Sequence, residues 1–284
     1  MILIPIGLVL YLTQKFKLGM RLWWIGAATF ILSQIGHLPF NAAISFLIDR
    51  AIIPLPPYNY QLLFYAIVFG LSAGIWESVA RYAAFRWWAK DARSWKKGVL
   101  VGAGHGGAES IILGVIVLRT FILMVTARNI DVNTLTSPEQ ISSLQAQLHA
   151  YWDIPWYLPF IGVTERIFTI IVHISLSLMV MQVFTRKNIL WLGLAIAWHS
   201  FLDGLAIYAS QTLDPIVTEA VIGSIAIFSL GIIFVLKQTE QDKAEVNDWI
   251  TYEEVSELQE TSKQTPIITD LNEDSERLDQ SRFD

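Results

Sequence analysis

From Gly98 to Val125 the chain carries no charge except Glu109 and Arg119, and His105 sits inside the same apolar run. A segment this long and apolar satisfies its backbone in a bilayer only as a helix. An acid or base at the centre of such a helix costs about 2.5 to 3.5 kcal/mol on insertion scales, so His105 and Glu109 call for partners or a task. Gly98, Gly102, His105 and Glu109 follow at spacings of four, three and four. They share one stripe of the helix, where the glycines let a neighbouring backbone approach the two polar groups.

Seven apolar stretches run along the chain, at about 1–13, 22–48, 60–86, 98–127, 155–184, 189–210 and 216–236. A hydrocarbon layer ~30 Å thick takes about 20 helical residues, so the first stretch is short and the second can tilt or bend at Pro39. With 54% hydrophobic residues the expected class is all-α, a polytopic membrane helix bundle of about seven transmembrane helices with a four-helix core carrying the site. The expected division is 1–59, N-terminal transmembrane helices; 60–210, four-helix catalytic core; 211–237, last transmembrane helix; and 238–284, an acidic, mostly disordered cytoplasmic tail. Residues 1–237 carry a net charge of +5 and the tail −10, which sets the tail apart as water-facing. A weak amphipathic patch surrounds Val246, Trp249 and Ile250.

Basic residues sort by connection. Lys15, Lys17 and Arg21 lie in the first, Arg86, Lys90, Arg93, Lys96 and Lys97 in the third, and Arg186 and Lys187 in the fifth, against only Arg50 and Arg128 in the second, fourth and sixth. The positive-inside bias makes this an integral membrane protein, placed in the plasma membrane, with its N-terminus outside and its C-terminus cytoplasmic. The N-terminus lacks a basic n-region and a cleavage site, so it reads as the first span. Topology accounts for the basic clusters, leaving no nucleic-acid patch. The absence of cysteine excludes thiolate metal sites and cysteine nucleophiles. The loop 129–153 holds a helix from Ser137 to Tyr151 that could cap an entrance or simply connect, and Trp152, Trp156 and Tyr157 suit the interface.

Other spans carry polar groups too. Glu77 and Arg81, His199 and Asp203, and His37 and Asn41 each stand four apart on the third, sixth and second spans, and the fifth holds Glu165, Arg166 and His173. Glu77 and Arg81 can neutralise each other as a structural ion pair, and His37 reads as a hydrogen-bonded core residue. The acids, imidazoles and guanidinium of four consecutive spans reach a similar depth, however. Independent salt bridges have no reason to do so, and a bundle with one polar centre follows. His149, in the loop, lies at another level.

Several motifs fail on context. Gly102-Ala-Gly-His-Gly-Gly107 fits GxGxxG but has no preceding strand. Gly70-Leu-Ser-Ala-Gly74 fits GxSxG but lies mid-span, where helix packing explains its glycines better than a nucleophile elbow; a serine–histidine pair using Ser72 is the minor alternative. No HExxH occurs, and Asp203 is the only aspartate deep in the apolar core, so an aspartyl dyad lacks its second member.

ESVARY, GHGGAES, the helix from Glu165 to His173 and HSFLD on successive spans resemble the YhfC family of intramembrane peptidases. That family is related to the CAAX-processing and bacteriocin-processing proteases, with motifs EExxxR, FxxxH and HxxxN or HxxxD. The resemblance covers about residues 60–210 and implies a glutamic-type intramembrane endopeptidase. Glu77 and Arg81 match the last acid and the arginine of the first motif, Glu109 falls at the polar end of the second, and His199 with Asp203 match the third. Trp76 stands where the wider superfamily has a paired glutamate. Either Glu77 or Glu109 could therefore activate water.

The expected mechanism is peptide hydrolysis by carboxylate-activated water. Glu77 or Glu109 is the base, His105 and His173 assist, His199 with Asp203 stabilises the oxyanion, Arg81 orients the carboxylate, and Glu165 completes the site. Water is expected from the cytoplasmic half. No cofactor is required in this reading. Three alternatives are a zinc site on His105, His173 and His199 with a carboxylate, a proton-coupled transporter, and a non-catalytic scaffold like the γ-secretase subunit that shares these helices. Membrane lipids and a peptide or membrane-protein substrate are the expected partners.

Overall fold

In a computed structural model, which describes residues 1–130 and 137–237, these segments form eight helices. The acidic tail and its amphipathic patch lie outside the described residues. The helices are α1 (Leu3–Phe16), α2 (Arg21–Asp49), α3 (Tyr58–Trp87), α4 (Trp95–Arg128), α5 (Pro138–Trp152), α6 (Leu158–Thr185), α7 (Leu190–Thr212) and α8 (Pro215–Lys237). All but α1 and α5 are long and apolar enough to cross a membrane. The fold is a polytopic membrane helix bundle.

Helix α1 has 14 residues, about 21 Å at helical rise, and falls short of a ~30 Å layer. It runs along the first half of α4: Phe16 stacks edge-on with Trp95, and the Met1 carbonyl accepts from Ser110 Oγ at 3.1 Å. Helix α5 starts as its sequence directs, with Pro138 in the first turn and Ser137 Oγ accepting from the Gln140 amide.

Helices α2, α4, α6, α7 and α3 pack in succession around a common centre, and α3 also touches α6 across it. Glycines bring them close. A Cβ at Gly26 would meet the Val101 carbonyl at 2.0 Å, and one at Gly104 the Trp23 carbonyl at 2.0 Å, so α2 and α4 meet backbone to backbone. Gly102 faces the Ile174 Cα of α6 in the same way, at 2.5 Å. Gly70 and Gly74 seat α3 on Ser200 of α7, so the GxSxG string serves packing, and Ser72 Oγ instead donates to Asn41 Oδ1 at 2.7 Å.

Candidate functional site

Close helix approach puts five side chains around Glu77. His105 Nε2 lies 3.0 Å from Glu77 Oε2, Arg81 Nη2 3.4 Å and His199 Nε2 3.6 Å, while Gln34 Nε2 of α2 donates to the other oxygen, Oε1, at 3.4 Å. The fifth, His173, joins through Arg81, whose Nη2 donates to His173 Nδ1 at 2.6 Å. The Nε2–H of His173 then donates to Glu109 Oε2 at 2.5 Å. Arg166 Nη1 holds the other Glu109 oxygen at 2.8 Å, and its Nη2 holds Glu165. Every acid, imidazole and guanidinium expected at the site is thus linked to the rest, Asp203 through His199 Nε2 at 3.4 Å.

Glu77, Arg81, His105, His173 and His199 are all buried, whereas the carboxylates of Glu165 and Asp203 are 37% and 39% exposed. The site therefore has a closed inner wall and an acidic mouth. A cavity of about 100 Å³ lies between them, bounded by Glu77, Glu109, Glu165, His173, His199 and Asp203, with room for several waters. It adjoins a second cavity of about 380 Å³ along Glu165, Ala206 and Ile222, which continues to Ser210, Leu213 and Pro215 at the α7–α8 turn. The cavities thus lie toward the end of the bundle opposite the basic clusters, whereas entry was expected from the half that carries them. The cause is packing: Arg81, Phe85, Leu100, Leu176 and Leu178 close the basic end.

One oxygen of Glu77 and one nitrogen each of His173 and His199 lie within 4.8 Å of one another. Zinc bonds of about 2.0–2.2 Å place tetrahedral donors roughly 3.4 Å apart, so small side-chain shifts would close this set. Two imidazoles and one carboxylate leave a fourth position open, the composition of a hydrolytic zinc site. The set fits a metal once His173 gives up one of its two ring-nitrogen partners, Arg81 or Glu109. It differs by one member from the three histidines expected, because His105 is turned to Glu77 and Thr29: its Nδ1 lies 2.8 Å from Thr29 Oγ1. His105 therefore faces Glu77 and Thr29 rather than the candidate donor set. His199 Nδ1 has no hydrogen-bond partner among the described residues.

Two contributors from α2, Thr29 and Gln34, were not expected, since an uncharged side chain raises a smaller insertion cost than a charged one and draws less notice. The spacing of Gln34, His37 and Asn41 by three and four was the available signal.

Among known proteins, the family model described as YhfC intramembrane metalloprotease matches residues 1–226. The chain belongs to that family of intramembrane proteases. It is 29% identical over 212 residues to the uncharacterized membrane protein YhfC of Bacillus subtilis (strain 168), covering 71% of this chain and 78% of that one. No solved structure matches. The family match takes in α1 and α2 as well as the four helices on which the motifs lie, in keeping with the contacts of Thr29 and Gln34.

Proposed function

We propose that this chain is an endopeptidase cutting a peptide or membrane-protein substrate within the bilayer, with Glu77, His173 and His199 holding a zinc ion and Glu109 serving as general base. The observation that carries the reading is the convergence of donor atoms from α3, α6 and α7 beside a water-sized cavity that Glu109 also lines. Zinc so held supplies a Lewis acid and lowers the pKa of bound water to about 7.

The chain's own residues do the rest. Glu109 takes a proton from the attacking water as the new C–O bond forms, then returns it to the amine nitrogen as the C–N bond breaks. Arg166, at 2.8 Å from Glu109 Oε1, fixes the carboxylate's orientation. His105 and Arg81 hold Glu77, and Asp203 flanks His199 at the mouth. In the same proposal, α3, α4, α6 and α7 within residues 60–210 form the catalytic core, the protein resides in the plasma membrane, and the basic connections face the cytoplasm with the N-terminus outside and the C-terminus inside.

A glutamic-type reading is favoured by one specific observation. Glu77–His105 and Glu109–His173 are carboxylate–imidazole pairs within hydrogen-bond reach, able to activate water without an ion. In it, Glu77 or Glu109 is the base with His105 and His173 assisting.

The test uses full-length protein purified and reconstituted in liposomes, with labelled casein as a general peptide substrate and metal content measured by mass spectrometry. Cleavage with about one metal per chain, lost to chelator, supports the zinc reading. Cleavage without metal and insensitive to chelator supports the glutamic reading. No cleavage with no metal overturns both.

A further inference from the structure

Three polar side chains of α2, Gln34, His37 and Asn41, run in series from Ser72 of α3 to the site. Ser72 Oγ lies 2.7 Å from Asn41 Oδ1, Asn41 Nδ2 2.9 Å from His37 Nε2, His37 Nδ1 3.2 Å from Gln34 Oε1, and Gln34 Nε2 3.4 Å from Glu77 Oε1. Such a chain has two self-consistent polarities, because each amide can turn over, the hydroxyl can give or take, and a neutral imidazole carries its proton on either nitrogen. In one, every donor points toward Glu77. In the other, Gln34 presents its carbonyl oxygen to the carboxylate, two acceptors face to face, which an ionised glutamate does not tolerate.

We infer that Gln34 and His37 are positioning residues for Glu77, held in the one polarity that the ionised carboxylate accepts, with Asn41 and Ser72 completing the series. This rests on the reading of Glu77 as part of the hydrolytic centre. The division of labour on the carboxylate explains why the series is needed. His105, Arg81 and His199 all gather at Oε2, and Gln34 is the donor at Oε1. Without it Oε1 has no hydrogen-bond donor among the described residues. His37 turns the Asn41 donor into a donor for Gln34, which requires a proton on His37 Nδ1 and none on Nε2. Pro39 stands between these residues on α2 and has no amide hydrogen to compete for the series. The plain account of His37, a satisfied core histidine, does not say which nitrogen carries the proton and predicts no link to catalysis.

Two measurements on the full-length protein in liposomes test this. The first is ¹⁵N NMR of histidine-labelled protein, with the His37 signal assigned by its loss in His37→Leu. The expected state is the Nδ1–H tautomer; an Nε2–H tautomer overturns the proposal, whether or not the protein cleaves anything. The second is steady-state cleavage of labelled casein, with the thermal midpoint recorded for each variant. His37→Leu should lower kcat about tenfold with KM within about twofold, as for loss of an interaction on a charged group. His37→Asn keeps an amide donor at the Nδ1 position and should restore most of that loss. In a Gln34→Leu background, His37→Leu should add nothing. Equal effects of His37→Leu and His37→Asn, or additive effects with Gln34→Leu, overturn it. Absence of wild-type cleavage, with the Nδ1–H tautomer present, would instead count against the protease reading and leave the polarity of the series standing.

Discussion

Glu109 Oε2 and His173 Nε2, carried by α4 and α6, meet at 2.5 Å, and Arg81 donates to the opposite nitrogen of the same imidazole at 2.6 Å. A guanidinium, an imidazole and a carboxylate in line tie α3 to α4 through α6. Removing any one of them changes the orientation of the other two.

Base and ligand make separable predictions. Glu109→Gln should lower cleavage about 10²- to 10⁴-fold, the usual worth of a general base, while metal content stays near wild type. His199→Ala should lose both. Equal loss of metal in the two variants would show that Glu109 is a ligand.

Arg81 is fully buried, with Nε and Nη1 lacking partners among the described residues. Arg81→Met leaves the Glu77 carboxylate buried without its guanidinium and should destabilise by about 3–5 kcal/mol, read as a fall in thermal midpoint in detergent. Arg81→Lys should recover part of that loss, since Nη2 alone makes both contacts and one ammonium on a shorter reach can take its place. A midpoint unchanged in Arg81→Met would contradict the network.

The glycine contacts predict a spatial pattern. Gly26→Ala and Gly104→Ala place a methyl 2.0 Å from a backbone oxygen of the facing helix, so α2 and α4 must part. Both should lower the thermal midpoint and, through His105 and Gln34, cleavage. Gly193→Ala, with nothing within 4 Å, should leave both unchanged. Similar midpoints for all three would refute close α2–α4 packing.

How much of this was legible follows from cost. Glu77, Glu109, Arg166 and the histidines announce themselves because apolar helices carry such groups at a penalty, and their spacing gives the face. Thr29 and Gln34 impose little penalty and stayed silent. Which side chains make up the candidate donor set was hidden as well, because only the turn of the His105 ring toward Thr29 and Glu77 takes it out of that set. Cavity direction depends on which end packs more tightly, a property of many side chains at once.

Outside the spans, Arg21 bridges Asp91 at 3.0 Å and holds its carboxyl below the ordinary range, chiefly by their hydrogen bond. A depressed carboxylate contributes stability above its unfolded pKa and loses it as pH falls through the folded value. Both partners are half-exposed, so Asp91→Asn should cost under about 1 kcal/mol at neutral pH, and the difference from wild type should vanish in acid. A difference growing toward low pH would have the wrong sign.

The central claim is that side chains from α3, α4, α6 and α7 form one hydrolytic centre, and His105, Arg81 and His199 all converge on the Glu77 carboxylate. Cleavage of labelled casein by liposome-reconstituted Glu77→Gln, compared with an active wild type at matched thermal midpoint, tests it most directly. Loss of cleavage by at least about 10²-fold is the predicted result. Undiminished cleavage by a folded Glu77→Gln variant would contradict it.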